Sequence, residues 1–217
     1  MPVIDLSQDN SVLNIFVSEL RDVEIQHDPI RFRTNLARIG EVIAYEISKT
    51  LSYSAKSIET PLASHDASTI EDHLVIGTIL RAGLPFHLGF LNYFDRAENA
   101  FVSAYRKYTD KDHFEIDIEY ISSPGIEGKT LILVDPMLAT GNSLQLAYEA
   151  LLSKGKPANV HFACVIASHA GVDYLEDTLK QDQISLWCAA IDAELNSKSY
   201  IVPGLGDAGD LAYGIKT

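Results

Sequence analysis

Four short apolar runs, each ending at a polar break, constrain this chain more than any other feature. LVIGTIL at 74–80 is uninterrupted by charge, and TLILVD at 130–135 is the clearest of the set. VHFACVIAS at 160–168 and a run near 184–191 complete it. Continuous apolar runs of this length fit strands buried on both faces of a parallel sheet. The stretches between them read as helices, which a parallel sheet needs on both faces. The fold class is therefore α/β, with a mainly parallel central sheet flanked by helices. Sheets of this kind bind ligands beyond the carboxyl ends of their strands.

The intervening segments agree. Asp28 followed by Pro29 gives an N-cap and a proline at the first helical position. Ile30, Leu36, Ile39, Val42, Ile43 and Ile47 then recur mostly at spacings of three and four, so an amphipathic helix is expected to end near Leu51. Pro85 opens a second helix, PFHLGFLNYF. Others are expected from about Ser143 to Ser153 and near 171–180. Residues 100–106 and 113–121 read as two strands around the polar turn KYTDKDH, a hairpin arm over about 100–121. Residues 1–28 read as an N-terminal extension. A length of 217 residues suits a single domain with a sizeable core.

Composition narrows the partners. Seventeen Lys and Arg against thirty Asp and Glu give a formal charge of -13. Such a chain repels nucleic acid and anionic membranes, so neither is an expected partner. Any phosphate site must be built from local cations and backbone N–H groups. Cys164 and Cys188 each lie in an apolar run and read as buried thiols. The N-terminus lacks an apolar stretch, and no run approaches the roughly 20 residues a membrane helix needs. A cytoplasmic protein is expected. The seven histidines show no metal-ligand spacing.

Two familiar motifs fail on context. GIEGKT at 125–130 looks like a phosphate-binding P-loop, but its GKT enters a strand where a P-loop lysine opens a helix. GLGDAG at 204–209 matches the dinucleotide pattern GxGxxG, but it begins 13 residues before the end, with no room for a following βαβ unit. Its glycines instead suggest a loop whose backbone closely approaches a ligand.

The segment that carries chemistry is VDPMLATGNS, 134–143. It leaves a buried strand and enters a helix. Asp135 stands at the strand's carboxyl end. Ala139, Thr140, Gly141, Asn142 and Ser143 offer small or hydroxyl side chains and exposed N–H groups, which at a helix N-terminus form a phosphate cradle. A plain strand-to-helix turn with Thr140 as N-cap is the alternative.

This segment resembles the PRPP-binding motif of type I phosphoribosyltransferases, PRPP being 5-phosphoribosyl 1-pyrophosphate. Its VDPMLATG form is similar to that of the uracil phosphoribosyltransferases. ILRAG at 79–83 resembles that family's pyrophosphate loop, and YIVPGLGDAGDLAYGIKT at 200–217 resembles its C-terminal uracil-binding segment. LRD at 20–22 and ETPL at 59–62 fit as well. The resemblance implies transfer of a phosphoribosyl group from PRPP to N1 of uracil, giving UMP and pyrophosphate. Arg81 and Arg106 would contact the phosphates of PRPP, and Asp135 the ribose hydroxyls. Ala139, Thr140, Gly141, Asn142 and Ser143 would hold the 5′-phosphate, and Pro136, Met137 and Leu138 before them would also belong to the PRPP-binding run. Ile201, Gly206 and Ala208 would bind uracil through their backbones, with Asp207 between base and PRPP. Asp135, Asp207 and Arg81 would be the catalytic set. Mg²⁺ would arrive with PRPP, with no protein metal site. Relatives form dimers or tetramers, so a homodimer or homotetramer is implied, with GTP a candidate effector.

Three positions depart from the family pattern. Asn142 stands where many relatives have Gly; Asn tolerates unusual backbone angles, so the cradle is expected to survive. The arm diverges after Tyr105-Arg106. Leu211 and Ala212 differ from the commonest forms but lie past the base-reading positions.

Overall fold

The computed structural model describes residues 1–108, 114–181 and 183–216, with 104–108 and 114–118 described by their backbone alone. The first elements are β1 (Val3–Asp5), α1 (Val12–Arg21), α2 (Pro29–Ser48), β2 (Tyr53–Glu59), β3 (Ser64–Ile70) and β4 (Leu74–Leu80). Then come α3 (Gly83–Leu91), β5 (Glu98–Tyr108), β6 (Phe114–Ser122), β7 (Thr130–Val134), β8 (Met137–Leu138) and α4 (Asn142–Leu151). The chain finishes with β9 (Asn159–Ser168), α5 (His169–Thr178), β10 (Ile184–Asp192), β11 (Glu194–Leu195), β12 (Ile201–Val202) and α6 (Ala208–Tyr213).

The four apolar runs become adjacent strands. The sheet order is β1-β10-β9-β7-β4-β5-β6, with β8 added beside β9. All its pairings are parallel except β5 with β6. Why these strands are apolar throughout is visible residue by residue. Val75, Leu131, Leu133 and Phe162 pack on the face that carries Leu144, Ala147 and Leu151 of α4 and Leu175 of α5. Their neighbours Ile76, Ile132, Val134 and Ala163 pack on the other face, with Leu36, Ile39 and Ile43 of α2 and Phe86 and Phe90 of α3. Each of these side chains is buried, worth about 1.5–3 kcal/mol for a large one, and the polar residues the strands do carry, Thr78, Thr130, His161 and Ser168, are few and uncharged in their buried setting.

The expected helix at Pro29 forms, and the Asp28 carboxylate accepts from the Ile30 and Arg31 N–H groups. It stops at Ser48, a turn before Leu51. The strands expected over 100–121 form as β5 and β6, and they close one edge of the main sheet. The turn expected between them lies at 109–113, outside the described residues, and a second antiparallel hairpin, β2 with β3, stands apart from the main sheet, tipped by the exposed Leu62.

The first 28 residues are built into the fold. β1 pairs with β10 as the opposite edge of the sheet. α1 is opened by a capping box, in which Ser11 and Asn14 exchange side-chain bonds with each other's backbone. Leu13, Val17 and Leu20 of α1 are buried against α2. Cys164 and Cys188 are free and buried on neighbouring strands, as their apolar runs implied. Among the described residues no helix is long and apolar enough to cross a membrane.

Candidate active site

At the carboxyl end of the sheet lies a cleft of about 490 Å³. Three chain segments line it, each following a strand. The first is the turn after β4, where Leu80, Arg81 and Ala82 lead into α3. The second follows β7 and contributes Asp135, Met137, Ala139 and Ser143. The third is the C-terminal segment, with Ser199, Ile201, Gly206, Asp207 and Ala208. The peptides Leu80–Arg81 and Val202–Pro203 are cis.

The second segment is held by α5. Ser168 is the N-cap of α5 and accepts from the Gly171 N–H, while its hydroxyl donates to the Ala139 carbonyl at 2.6 Å. Gly171 must be glycine there, since a Cβ would stand 2.5 Å from that same carbonyl oxygen. α4 starts one residue later than a Thr140 cap would have it. Gly141 is the N-cap, with φ +86°, and no side chain caps the helix. The first N–H groups of α4 are left without a side-chain acceptor at the positive end of the helix. A substituent on Gly141 would face both the left-handed backbone and the Tyr174 ring, 2.6 Å from the new Cβ.

Asp135 has one weak partner, the Met137 N–H at 3.4 Å. No cation pairs with it among the described residues. Burial pushes its carboxyl up to about 7, against a small opposing effect of the Met137 N–H. A carboxylate kept partly open to a cleft and left without a counter-ion is poised to accept from a ligand's hydroxyls.

The third segment is tied down from behind. Arg21 holds Asp192 with two bonds, at 2.7 and 2.8 Å, and also donates to the Gly204 carbonyl. The Gly204 N–H donates back to Asp192. Arg33 of α2 donates to the Ala212 carbonyl at 2.7 Å. Gly204 has φ +57°, and a Cβ there would sit 2.2 Å from the Ile201 carbonyl oxygen. The glycine-rich run 204–209 is thus a tight turn, and Asp207 at its end caps α6 by accepting from the Asp210 N–H.

Of the residues expected at the site, the cleft gathers Arg81, Asp135, Met137, Ala139, Ser143, Ile201, Gly206, Asp207 and Ala208. Pro136 and Leu138 do not line it. Both are buried, and the Pro136 carbonyl accepts from Val165 and Ile166 of β9. Thr140, Gly141 and Asn142 form the turn at its rim. Arg106 stands on β5 opposite Ile116, and its side chain lies outside the described residues. Tyr200, Gly209 and Lys216 also line the cleft; they lie in the segment 200–217 but were not singled out within it. Lys216 is an exposed cation three residues beyond the end of α6, and only tertiary placement brings it to the site.

Comparison with known proteins decides the family. The family profile described as uracil phosphoribosyltransferase matches residues 7–215. The chain belongs to the uracil phosphoribosyltransferase family. A relative of that name from Porphyromonas gingivalis is 58% identical over 216 residues, covering 100% of both chains. One from Methanothermobacter thermautotrophicus is 41% identical over 189 residues, 86% of this chain and 85% of its own. Among solved structures, the AQ2163 protein of Aquifex aeolicus superposes with a TM-score of 0.88 over 98% of both chains at 29% identity. A hypoxanthine phosphoribosyltransferase from Staphylococcus aureus superposes at 0.50 and 16% identity, covering 86% of this chain and 83% of its own. That likeness is one of fold, the type I phosphoribosyltransferase arrangement.

Proposed function

We propose that the protein transfers the phosphoribosyl group of PRPP to N1 of uracil, releasing pyrophosphate and forming UMP in pyrimidine salvage, with residues 1–217 acting as one catalytic domain. The observation that carries this reading is the meeting in one cleft of the loop after β7 and the C-terminal segment. The uncapped N-terminus of α4 binds the 5′-phosphate through backbone N–H groups. Asp135 accepts from the ribose hydroxyls. Arg81 and Arg106 bind the pyrophosphate oxygens, a task suited to a forked guanidinium. Ile201, Gly206 and Ala208 present backbone groups to uracil, and Asp207 takes or relays its N1 proton.

Little covalent work falls on the chain. It holds N1 and the ribose carbon in line and meets the charge that develops as pyrophosphate departs. Mg²⁺ would come with PRPP, held by the phosphate oxygens that suit its preference for oxygen ligands, with the Asp207 carboxylate in the cleft the chain's own group that would face it. When bound it neutralises the leaving group. The cytoplasm is the compartment that suits the free thiols Cys164 and Cys188. A homodimer or homotetramer suits the exposed apolar side chains Leu62, Leu88 and Tyr93, which an isolated subunit leaves to water.

Base choice tests the reading. Uracil offers an acceptor at O4 and a donor at N3, and cytosine reverses both. A rigid loop reading those positions leaves two groups unpaired with cytosine, so uracil is expected to win by roughly 10²–10⁴ in kcat/KM. Pyrophosphate release measured with each base, PRPP and Mg²⁺ gives the ratio. Comparable values for the two bases would sink the assignment.

A further inference from the structure

Arg81 leaves the turn after β4 but makes its bonds to the C-terminal helix. Nη2 donates to Asp210 Oδ1 at 2.8 Å, and Nη1 donates to the Gly214 carbonyl at 3.2 Å. Nε is buried with no partner among the described residues. The guanidinium passes over Gly209, where a Cβ would stand 3.4 Å from Nη2 and 3.2 Å from Asp207 Oδ1. The third glycine of GLGDAG therefore lies in contact range of an arginine that comes from another strand. Asp210 itself is fixed at both ends: its N–H donates to Asp207, and its carboxylate takes Arg81. Two of the five guanidinium N–H groups are thus engaged by α6 and its exit, Nε is buried, and the second N–H of Nη1 and of Nη2 remain available.

We propose that Asp210 is a positioning residue for PRPP: it holds Arg81 against the uracil-binding segment so that the remaining guanidinium N–H groups meet the pyrophosphate. This rests on the phosphoribosyl-transfer reading above. The physical reason is the freedom of a long side chain. An untethered arginine samples many rotamers and loses that freedom on binding, whereas one already bridged to a carboxylate and a carbonyl does not. The same bridge makes the pyrophosphate end of the cleft share a support with Asp207 and Gly209 at the base end.

Asp210 is also an anion near where a polyanion binds, and this makes the test decisive. If it only repelled PRPP, removing it would tighten binding. As a positioning residue, its loss loosens binding. In Asp210→Ala, KM for PRPP is expected to rise roughly tenfold while kcat changes by less than about threefold. Asp210→Glu is expected to restore KM to within about threefold, since the carboxylate returns on a longer stem. In an Arg81→Ala background, Asp210→Ala is expected to add less than about twofold to the loss of PRPP affinity, because the interaction is already broken. A lower KM in Asp210→Ala, or losses that multiply in the double variant, would overturn the proposal. Calorimetric titration of the same variants with PRPP and Mg²⁺, uracil omitted, gives the affinities without turnover. If the wild-type protein bound PRPP but released no pyrophosphate with uracil, the base assignment would fail while these titrations still decided the role of Asp210. Failure of the wild-type protein to bind PRPP would overturn both.

Discussion

The two ends of the parallel sheet treat their polar groups differently. At the amino end, Asp72 accepts from the Ser52 N–H and from the Thr130 hydroxyl, each at 2.6 Å. His161 Nδ1 lies 2.7 Å from Ser185 Oγ and 3.2 Å from Trp187 Nε1. The Trp187 indole N–H also lies 3.1 Å from Ser185 Oγ, so it is shared between the hydroxyl and the imidazole. At the carboxyl end, Asp135 has a single long contact among the described residues, and Arg81 Nε, beside the cleft, and Thr78 Oγ1, beneath Gly83, are buried without partners among them. His87 Nδ1 is also unpaired among the described residues, but it lies away from the cleft, where α3 packs on the first residues of β5. Folding satisfies the polar groups it needs for itself. Those it leaves unsatisfied around a cleft are placed for a ligand.

The comparison breaks first, if it breaks, at Asp135. Its carboxyl lies near 7 when folded, against 3.8 ordinarily. Between those values the folded protein keeps a proton that the unfolded chain has lost, so stability falls as pH rises through this window. Above pH 7 the deficit is complete. Asp135→Asn removes it and is expected to raise stability at pH 8 by up to about 4 kcal/mol, while cutting kcat/KM for PRPP roughly tenfold or more. Denaturant melts and steady-state kinetics on the same variant check both signs. A variant that loses stability, or keeps its PRPP kinetics, would put Asp135 among the fold's own polar groups.

The opposite substitution sharpens the contrast. Asp72→Ala leaves the buried Thr130 hydroxyl and the Ser52 N–H without acceptors. The expected cost is about 2–3 kcal/mol of stability, with kcat/KM for PRPP within about twofold of wild type. Loss of activity without loss of stability would mean that the amino end takes part in function.

How much of this was legible in the sequence follows from the same physics. The strands 74–80, 130–134 and 159–168 could be read because burial on both faces keeps them predominantly apolar and free of Asp, Glu, Lys and Arg, a signal that needs no partner to interpret. Asp135 could be read because the loop beyond such a strand is where ligands bind. The hairpin at 53–70 could not. Every residue of β2 is exposed, so no alternation marks it. β1 was hidden by its length of three residues. The Arg81–Asp210 bridge spans 129 residues of chain, and neither residue's local sequence points to the other. The start of α4 was misplaced by one residue, because a left-handed glycine ends the loop without any side-chain cap for a pattern to reveal. Local periodicity is written in the sequence; contacts between distant loops are set by the sheet that carries them.

The smallest expected effect concerns His161. Burial lowers its imidazole to about 4, and the Asp72 charge opposes that only in part. The folded protein therefore keeps His161 neutral at a pH where the unfolded chain has already bound a proton. With the folded value depressed, its contribution is present above about pH 6.5 and is lost as pH falls towards 4. Taking 6.5 for the unfolded chain, this single group is expected to remove about 2 kcal/mol between pH 8 and pH 5. His161→Gln has no such proton to bind. Its stability at pH 8 is expected to lie below wild type, because Trp187 and Ser185 lose a well-placed partner, but its fall on the acid side is expected to be shallower. Urea melts of both proteins across pH 5–8 measure the difference in slope. Asp135 changes stability in the opposite direction over part of the same range, falling as pH rises, so the cleanest comparison sets His161→Gln beside the double variant with Asp135→Asn. If removing His161 left the acid-side slope unchanged in both backgrounds, the imidazole would be exposed to protons while folded. The amino end would then be as open as the carboxyl end, and the contrast between a satisfied end and a ligand-ready end would fail.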